Sequence, residues 1–407
     1  MDFLADARAQ LDDLVRLRRA LHHEPEIGLE LPRTQEKVLA ALDGLPLEIT
    51  PGPPGLGSVT AVLRGGRPAG QPEGRCVLLR GDMDALPVDE QTGLEFAATN
   101  GAMHACGHDL HTASLVGAAR LLCAARDELA GDVILMFQPG EEGYDGAAHM
   151  IEAGVLEAAG TVPEAAFALH VASAVFPAGL VAVRPGPMLS AADVLHVEVI
   201  GTGGHGSSPH LAQDPIAVAA EMITALQTLV TRQFDVFDPV VMTVGRFAGG
   251  TQHNVIPERA EFDTTVRTFS AANQQAVAER AVRLCRGIAE AHGLRAEIEW
   301  QTLYPVTNND PSETDFLMAT AAELFGAPAT MLMPHPHTGS EDFSRVLARV
   351  PGAMAFLGAT PAGADPSRAA FNHSPLADFD ESALAAGAAL YARLAADRLA
   401  APARPPA

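Results

Sequence analysis

Short, uninterrupted apolar runs recur along the first part of this 407-residue chain and restrict its fold more than any other feature. Residues 77–79 read Val-Leu-Leu, residues 133–137 read Val-Ile-Leu-Met-Phe, and residues 166–171 read Ala-Phe-Ala-Leu-His-Val. Runs without polar alternation are typical of strands that are buried on both faces of a mainly parallel sheet. Helical patterns lie between them, as over residues 113–125. The sequence therefore predicts an α/β fold, in which helices cover both faces of a mainly parallel sheet.

Paired carboxylates follow two of these runs. Asp82 and Asp84 lie in Gly-Asp-Met-Asp-Ala-Leu-Pro, and Glu141 and Glu142 lie in Gln-Pro-Gly-Glu-Glu-Gly. In open α/β sheets, ligands bind at the carboxyl ends of the strands. An Asx-rich turn explains the aspartate pair equally well. The glutamate pair favours function, because five apolar residues precede its turn and a carboxylate at the mouth of a buried strand is a candidate base or ligand.

The segment 101–111, Gly-Ala-Met-His-Ala-Cys-Gly-His-Asp-Leu-His, contains one of only four cysteines. Cys106 and His108 flank Gly107, and a glycine lets a tight loop turn both donors towards one point. Thiolate and imidazole are both good ligands for divalent transition metals. Taken alone, the segment is explained better by a buried cysteine beside a polar turn. His170 and His373, in later segments, supply the further donors that make a metal site the stronger interpretation.

The pattern changes between residues 189 and 303. Residues 194–200 alternate between apolar and polar, and the segments after them predict the order β-α-β-β-α-β, which is typical of a ferredoxin-like α+β domain. The α/β character returns from residue 304. We therefore expect a discontinuous metal-binding domain, residues 1–188 and 304–400, with a second domain, residues 189–303, inserted in it.

Charge and composition exclude several classes of partner. The formal net charge of -23 argues against nucleic-acid binding, which needs a basic face. No apolar run is long enough to span a membrane, and the N-terminal residues lack the basic and apolar regions of a signal peptide. The four cysteines are widely spread, which fits a reducing compartment better than a disulfide framework. We expect a cytoplasmic protein that binds neither nucleic acid nor membrane.

The segment Gly-Thr-Gly-Gly-His-Gly at 201–206 matches the glycine pattern of dinucleotide-binding loops. That interpretation requires a helix that opens on the loop. Here Ser207, Ser208 and Pro209 continue the loop, and the helical pattern starts only near Pro215. We therefore reject a nicotinamide cofactor.

The candidate donors outside the inserted segment are enough for two metal ions and one spare carboxylate. They are Asp82, Asp84, Cys106, His108, Glu141, Glu142, His170 and His373. Two neighbouring ions can polarise a carbonyl and activate water, and a nearby glutamate can pass a proton to a leaving amine. This chemistry is amide hydrolysis.

As an ordered set, the segments resemble the M20 metallopeptidase family, specifically its amidohydrolase branch of aminoacylases, hippurate hydrolases and auxin-conjugate hydrolases. The matching segments are GDMDALP at 81–87, MHACGHDLHTA at 103–113, FQPGEEG at 137–143, LHV at 169–171, GHGSSPH at 204–210, QHNVIPE at 252–258, VRTF at 266–269, GSEDFS at 339–344 and NHSP at 372–375.

The resemblance implies a ligand set for two divalent ions, Zn²⁺ or Mn²⁺ with Co²⁺ also compatible, and this set is Cys106, His108, Glu142, His170 and His373. It implies that Glu141 is the general base and acid. Asp82 stands where other branches have a histidine ligand and is not counted as one. Asp84 is expected to orient a ligating histidine.

The resemblance also implies a role for the inserted domain in dimerisation or as a lid, in a homodimer or a higher homo-oligomer. His205 is expected to reach the partner's active site and stabilise an oxyanion. Asn254 and Arg267 resemble substrate-binding positions, and an arginine suits a substrate carboxylate. A capped turn for Asn254 and a surface strand charge for Arg267 are the alternatives.

We therefore expect metal-dependent hydrolysis of N-acyl-amino acids, such as N-acetyl or N-benzoyl derivatives, to a carboxylic acid and a free amino acid. A dipeptidase or carboxypeptidase that acts on short peptides is one alternative. A non-catalytic metal-binding protein on the same fold is the other.

Overall fold

The computed structural model describes residues 1–66 and 74–402. The chain folds into two compact units. Unit 1 comprises Met1–Met188, Asn308–His335 and Arg345–Ala407, and unit 2 comprises Leu189–Thr307 and Pro336–Ser344. Segment 336–344, which the sequence pattern grouped with the discontinuous domain, belongs to unit 2.

The α-helices of the described residues are α1 (Phe3–Ala9), α2 (Leu11–His23), α3 (Pro32–Leu42), α4 (His108–Ala124), α5 (Gly146–Glu152), α6 (Pro215–Gln233), α7 (Ala271–Ala291), α8 (Pro311–Phe325), α9 (Ser344–Leu347) and α10 (Ala383–Ala400). The strands are β1 (Glu48–Pro51), β2 (Val59–Leu63), β3 (Cys76–Asp82), β4 (Asp132–Gln138), β5 (Ala165–Ala172), β6 (Val181–Val183), β7 (Gly186–Leu189), β8 (Ala191–Ile200), β9 (Gly204–His205), β10 (Val240–Gly249), β11 (Val255–Ile256), β12 (Arg259–Thr268), β13 (Arg295–Tyr304), β14 (Thr307–Asn309), β15 (Thr330–Leu332) and β16 (Gly352–Gly358).

Unit 1 is built on an eight-stranded sheet of order β1-β2-β4-β3-β5-β16-β6-β15. The four central strands, β4, β3, β5 and β16, run parallel to one another, and antiparallel pairs lie towards the edges. Every residue of β3 and β16 is buried. The uninterrupted apolar runs thus form the strands they predicted, in a large and mainly parallel sheet. The carboxyl ends of the central strands meet along one edge of this sheet.

Two long helices fill the core beside these strands. Helices α4 and α10 pack against each other and against β3 and β5. Both are rich in alanine and leucine and are buried on most sides, as expected for helices without a strongly polar face. Helix α4 begins at His108, and its first turn is tied to the carboxyl end of β3 because Thr112 Oγ1 donates to the carbonyl of Asp82 at 2.8 Å.

The helical spacing of apolar residues over 3–22 predicts a single helix, but the chain forms α1 and α2, which are separated at Gln10. The N–H of Gln10 closes α1 on the carbonyl of Ala7, and α2 then starts at Leu11. The break lets α1 pack on α10 while α2 packs on α4. The spacing of apolar residues alone does not reveal this break, since α1 and α2 have the same helical period.

Unit 2 contains a four-stranded antiparallel sheet of order β10-β12-β8-β13. Helices α6 and α7 pack on this sheet, and the chain order is the predicted β-α-β-β-α-β. Leu195, Val197 and Val199 of β8 are fully buried, whereas the residues between them are partly exposed. One face of the sheet therefore carries the core of unit 2. No helix among the residues that the structure describes is long and apolar enough to cross a membrane.

Candidate metal centre

The loop before α4 brings Cys106 and His108 to the carboxyl edge of the unit 1 sheet. Gly107 has a φ of 86°, in the left-handed region. A Cβ at this position would lie 2.3 Å from Val171 Cγ2, so a larger residue would disturb β5. Glycine is therefore required both by the turn, as the sequence predicted, and by the close approach of the next strand.

Two histidines of the site, His108 and His170, have the ring tautomer that leaves Nε2 unprotonated. Nδ1–H of His108 donates to the carbonyl of Asp84 at 2.9 Å, and Nδ1–H of His170 donates to the carbonyl of Val171 at 2.9 Å. In a neutral ring, the Nε2 atom then keeps its lone pair. Backbone acceptors of this kind fix ligating histidines in metalloproteins.

The predicted donors form overlapping groups that share the Cys106 sulfur. Cys106 Sγ lies 3.4 Å from His170 Nε2 and 3.2 Å from His373 Nε2. Glu142 Oε1 lies 3.2 Å from His373 Nε2 and 4.0 Å from His108 Nε2. The structure thus brings together all five residues of the predicted ligand set, from four separate segments of unit 1.

Asp84 holds the two glutamates through their backbone. Its Oδ1 accepts from the N–H of Glu141 and its Oδ2 accepts from the N–H of Glu142, both at 3.0 Å. Asp84 meets His108 chiefly through its carbonyl, whereas its carboxylate lies 3.4 Å from His108 Nδ1. The carboxylate therefore orients the glutamate turn, a role that the sequence pattern did not indicate. Glu141 is 7% exposed, and its carboxylate lies among the donors of His108 and Glu142.

Asn372 and His373 close the centre from the C-terminal part of the chain. Nδ2 of Asn372 donates to the carbonyls of Cys106 and Val171, and its Oδ1 accepts from the N–H of Ser173. His373 has a φ of 73°, an uncommon conformation for a non-glycine residue. Its N–H donates to the carbonyl of Ala105. Asn372 thus connects the Cys106 loop to β5, a function that sequence reasoning missed and that its position beside His373 signals.

The chemistry of the donors fits a divalent transition metal. Nε2 of His108 is buried and makes no hydrogen bond to the residues that the structure describes, as expected of an atom that awaits a ligand. Hydrogen bonds to the Cys106 sulfur and to Glu142 raise the pKa of His373 to about 10. Metal binding must displace that proton, so we expect metal affinity to rise with pH.

Asp82 and His111 are buried beside the centre but already have partners. Nδ1–H of His111 donates to Asp82 Oδ1 at 2.5 Å, and Nε2 of His111 accepts from the N–H of Val171 at 2.7 Å. Arg80 binds the other oxygen of Asp82 at 2.6 Å. Both ring nitrogens of His111 are therefore used inside the protein. From the sequence alone, His111 is expected at the start of the helix predicted over residues 113–125, and its i+3 spacing from His108 is the signal for a shared face.

His205 and Asn254 are neighbours in unit 2, where β9 pairs with β11. Nδ1 of His205 accepts from the N–H of Ser207 at 3.1 Å and lies 2.8 Å from Ser207 Oγ. In the neutral ring the proton is then on Nε2, and the exposed ring presents a donor. The carbonyl of Asn254 accepts from the N–H of Gly206, so Asn254 shapes the turn that carries His205.

Arg267 lies on β12 and donates to Ser340 Oγ at 3.1 Å. Burial lowers the pKa of Arg267, and the buried Asp193 acts against this shift. Asp193 itself accepts from Gln274, Trp300 and Thr302. Arg267 is therefore a partly desolvated cation rather than a fully exposed strand charge.

A mainly parallel α/β sheet with clustered thiolate, imidazole and carboxylate donors at its carboxyl edge is the arrangement expected of a metal-dependent α/β enzyme. The model of peptidase family M20/M25/M40 matches residues 78–397. The chain belongs to this family.

Relatives extend the match to nearly the whole chain. The chain is 36% identical over 396 residues to thermostable carboxypeptidase 1 of Saccharolobus solfataricus, covering 96% of each protein. It is 36% identical over 383 residues to N-acetylcysteine deacetylase of Bacillus subtilis, covering 94% of this chain and 96% of that protein. The crystal structure of Bacillus subtilis YxeP, a dinuclear metal-binding peptidase of the M20 family, superposes with a TM-score of 0.81 at 33% identity and covers 97% of this chain and 99% of that chain.

Proposed function

We propose that this protein hydrolyses the amide bond of N-acyl-amino acids and releases a carboxylic acid and a free amino acid. The observation that carries the proposal is the buried carboxylate of Glu141 beside a donor cluster that shares the Cys106 sulfur. A base in this place is suited to deprotonating a water molecule that attacks a carbonyl carbon.

Cys106, His108, Glu142, His170 and His373 hold the metal ions in this proposal. The bound ions would supply Lewis-acid polarisation of the amide carbonyl and would lower the pKa of the attacking water. Thiolate and imidazole donors favour Zn²⁺, whereas the carboxylate admits Mn²⁺ or Co²⁺.

Glu141 takes a proton from the attacking water and passes it to the nitrogen of the leaving amino acid. The hydroxyl joins the acyl carbon, the C–N bond breaks, and the nitrogen gains the proton that the water gave up. Asp84 keeps Glu141 in place through the backbone N–H of the glutamate turn. Because the carboxylate is nearly buried, little solvent competes for the proton.

We further propose that residues 1–188 and 304–400 form the catalytic domain and that the inserted domain, residues 189–303, is a lid and dimerisation domain. In a homodimer or higher homo-oligomer, Nε2–H of the partner's His205 would stabilise the oxyanion. Arg267 would bind the substrate carboxylate and Asn254 would contact the substrate. The ring tautomer of His205 and the partly desolvated charge of Arg267 support these roles. Four free cysteines support a reducing compartment such as the cytoplasm.

Carboxypeptidase action is the second candidate, and the thermostable carboxypeptidase relative favours it. A carboxypeptidase also cleaves an amide next to a free carboxylate, so the same residues serve both reactions. The deacetylase relative and the matching Cys106-Gly-His108 segment support the smaller acyl substrates. A non-catalytic metal-binding role fits less well, because five other residues already supply the predicted ligand set and Asp84 nonetheless holds the backbone of Glu141.

Replacing Glu141 tests the proposal. We expect Glu141→Ala and Glu141→Gln to lower kcat on N-acetyl-, N-benzoyl- or indoleacetyl-amino acids by about 10²- to 10⁴-fold, because general acid–base catalysis is lost. Metal content, measured on the same samples, should stay at the wild-type level. Parallel assays with dipeptides distinguish the two substrate classes.

Glu152→Ala is the matched control, since Glu152 is an exposed glutamate of α5. Its activity should equal that of the wild type. Wild-type turnover in Glu141→Ala with full metal content would show that another group moves the proton and that the proposed mechanism is wrong.

A further inference from the structure

The turn that carries Glu141 and Glu142 contains an unusual backbone conformation at its end. Gly140 and Gly143 have positive φ values of 71° and 89°, which glycine adopts readily. Asp145 follows with a φ of 55° and is one of only three non-glycine residues with a positive φ in the described chain. An aspartate at such a position is tolerated but strained, so a second contact must hold it there.

Asp145 is also the N-cap residue of α5, but its side chain makes no capping hydrogen bond. An aspartate at an N-cap normally accepts from the first turn of the helix. Here its carboxylate binds the guanidinium of Arg345 in α9, with Nε to Oδ1 at 3.2 Å and Nη2 to Oδ2 at 2.8 Å. The two side chains are 30% and 31% exposed. The bidentate geometry fixes the orientation of the carboxylate relative to the guanidinium as well as the distance between them.

The glutamate turn is therefore held at both ends. At its start, the carboxylate of Asp84 accepts from the N–H groups of Glu141 and Glu142. At its end, Arg345 holds Asp145, and the N–H of Gly146 donates to the carbonyl of Gly140. Between these points Gly143 has no atom within 4 Å of where its Cβ would be, so the space beside this residue is open. Loss of the second restraint would let Glu141 move relative to Asp84.

We propose that the Asp145–Arg345 ion pair positions Glu141 for proton transfer. Neither residue belongs to the predicted ligand set, and both act as positioning residues. This inference rests on the proposed role of Glu141 as the general base. The pair joins segments that are 200 residues apart in the chain, so it exists only in the tertiary structure.

Substitutions at position 145 distinguish the effect of the ion pair on activity from the effect of the backbone conformation. Glycine fits a φ of 55° better than aspartate, and asparagine tolerates it and keeps an acceptor oxygen. If Asp145 matters only for its backbone, Asp145→Gly should be as active as the wild type. If the pair positions Glu141, we expect Asp145→Gly to lower kcat about tenfold, because a small misplacement of a catalytic group is costly. Asp145→Asn should then be intermediate, with KM changed less than about twofold in both.

Arg345 supplies the second half of the test. Arg345→Gln should match Asp145→Gly, Arg345→Lys should recover part of the rate, and the double variant should be no slower than either single variant. Arg393→Gln is the matched control, because Arg393 forms an ion pair with Asp397 at 34% and 33% exposure on α10. It should keep the wild-type kcat.

The readouts are kcat, KM, metal content and Tm for each variant. Wild-type kcat in Asp145→Gly would overturn the proposal, as would a rate loss fully explained by lost metal or by unfolding at the assay temperature. Glu141→Ala is assayed in the same series. If Glu141→Ala is active, the proposed role of Glu141 as the general base fails; if it is inactive while Asp145→Gly is fully active, only the positioning role fails.

Discussion

At the scale of single residues, the protonation of a side chain is set by what lies on either side of it. His111 is 2% exposed and is enclosed between the Asp82 carboxylate and the N–H of Val171. The N–H of Val171 needs an acceptor. In His111, Nε2 must therefore be unprotonated and Nδ1 must carry the proton. His111 thereby ties the first turn of α4 to the end of β5, where His170 lies 4.9 Å away between ring centroids.

We predict that His111→Phe lowers the free energy of unfolding by roughly 2–4 kcal/mol, because a buried N–H and a buried carboxylate each lose a partner. Urea unfolding with metal content held constant measures the change. His149→Ala is the control, since His149 is exposed on α5, and it should change stability by less than about 0.5 kcal/mol. Equal effects of the two substitutions would contradict the assigned role of His111.

At the scale of secondary-structure elements, a buried ion cluster joins α2 to the first turn of α4. Asp109 Oδ2 accepts from Arg18 at 2.7 Å and from His22 at 2.8 Å, and the other nitrogen of His22 lies 3.2 Å from Glu90. Burial raises the pKa of the Asp109 carboxyl, but Arg18 and His22 outweigh it and hold that pKa well below its usual range. Since Asp109 follows His108 in the chain, the cluster anchors the helix turn that presents a candidate metal donor. His22 lies at the end of the apolar helical pattern that stops before Pro25, and that pattern gives no sign of this contact.

The same cluster makes stability depend on pH. Burial lowers the pKa of His22, but Asp109 and Glu90 outweigh it and raise that pKa to about 9. The folded protein therefore holds a proton that the unfolded chain releases near its ordinary pKa of about 6.5. The stabilisation is complete below about pH 6.5 and is lost as the pH rises through about 9, with a total of roughly 3 kcal/mol.

We predict that His22→Gln removes this slope, as measured by urea unfolding between about pH 6 and about pH 9. His23→Gln should leave the slope unchanged, because His23 is exposed. A His22→Gln protein that loses as much stability as the wild type over this interval would place the titrating group elsewhere.

At the scale of the whole molecule, the predicted catalytic residues are divided between two compact units. Glu141 and the donor cluster belong to unit 1, whereas His205, Asn254 and Arg267 belong to unit 2. The proposed homodimer would supply His205 to the site of the partner, so each site would need residues of two chains. Such sharing is testable without knowledge of the interface.

Mixing His205→Ala subunits with Glu141→Ala subunits should restore activity, because each heterodimer contains one site in which both residues are native. Random pairing predicts about a quarter of the wild-type activity. Mixing Glu141→Ala with Glu141→Gln is the control and should give no recovery. Absence of recovery in confirmed heterodimers would exclude the shared site.

Much of the fold, and the gathering of candidate metal donors at one edge of the sheet, could be predicted from the sequence, because both follow from local patterns. Apolar runs such as residues 133–137 are buried on both faces wherever they lie, so they define a mainly parallel sheet. Parallel strands end at a common edge, and donors that follow those strands must then approach each other. The order of the donors along the chain thus determined that Cys106, His108 and Glu142 would meet.

The tertiary structure decided what each donor touches. The contact of His22 with Asp109 spans 87 residues, that of His111 with Val171 spans 60, and that of Asp145 with Arg345 spans 200. No periodicity records such contacts, since they depend on how α2, α4 and α9 pack against the sheet. The sequence by itself determined the kinds of donors and the sheet edge at which they gather. Only the packing of distant segments decided which atoms carry protons and which carboxylates hold the glutamate turn, because those states depend on partners that are remote in the chain.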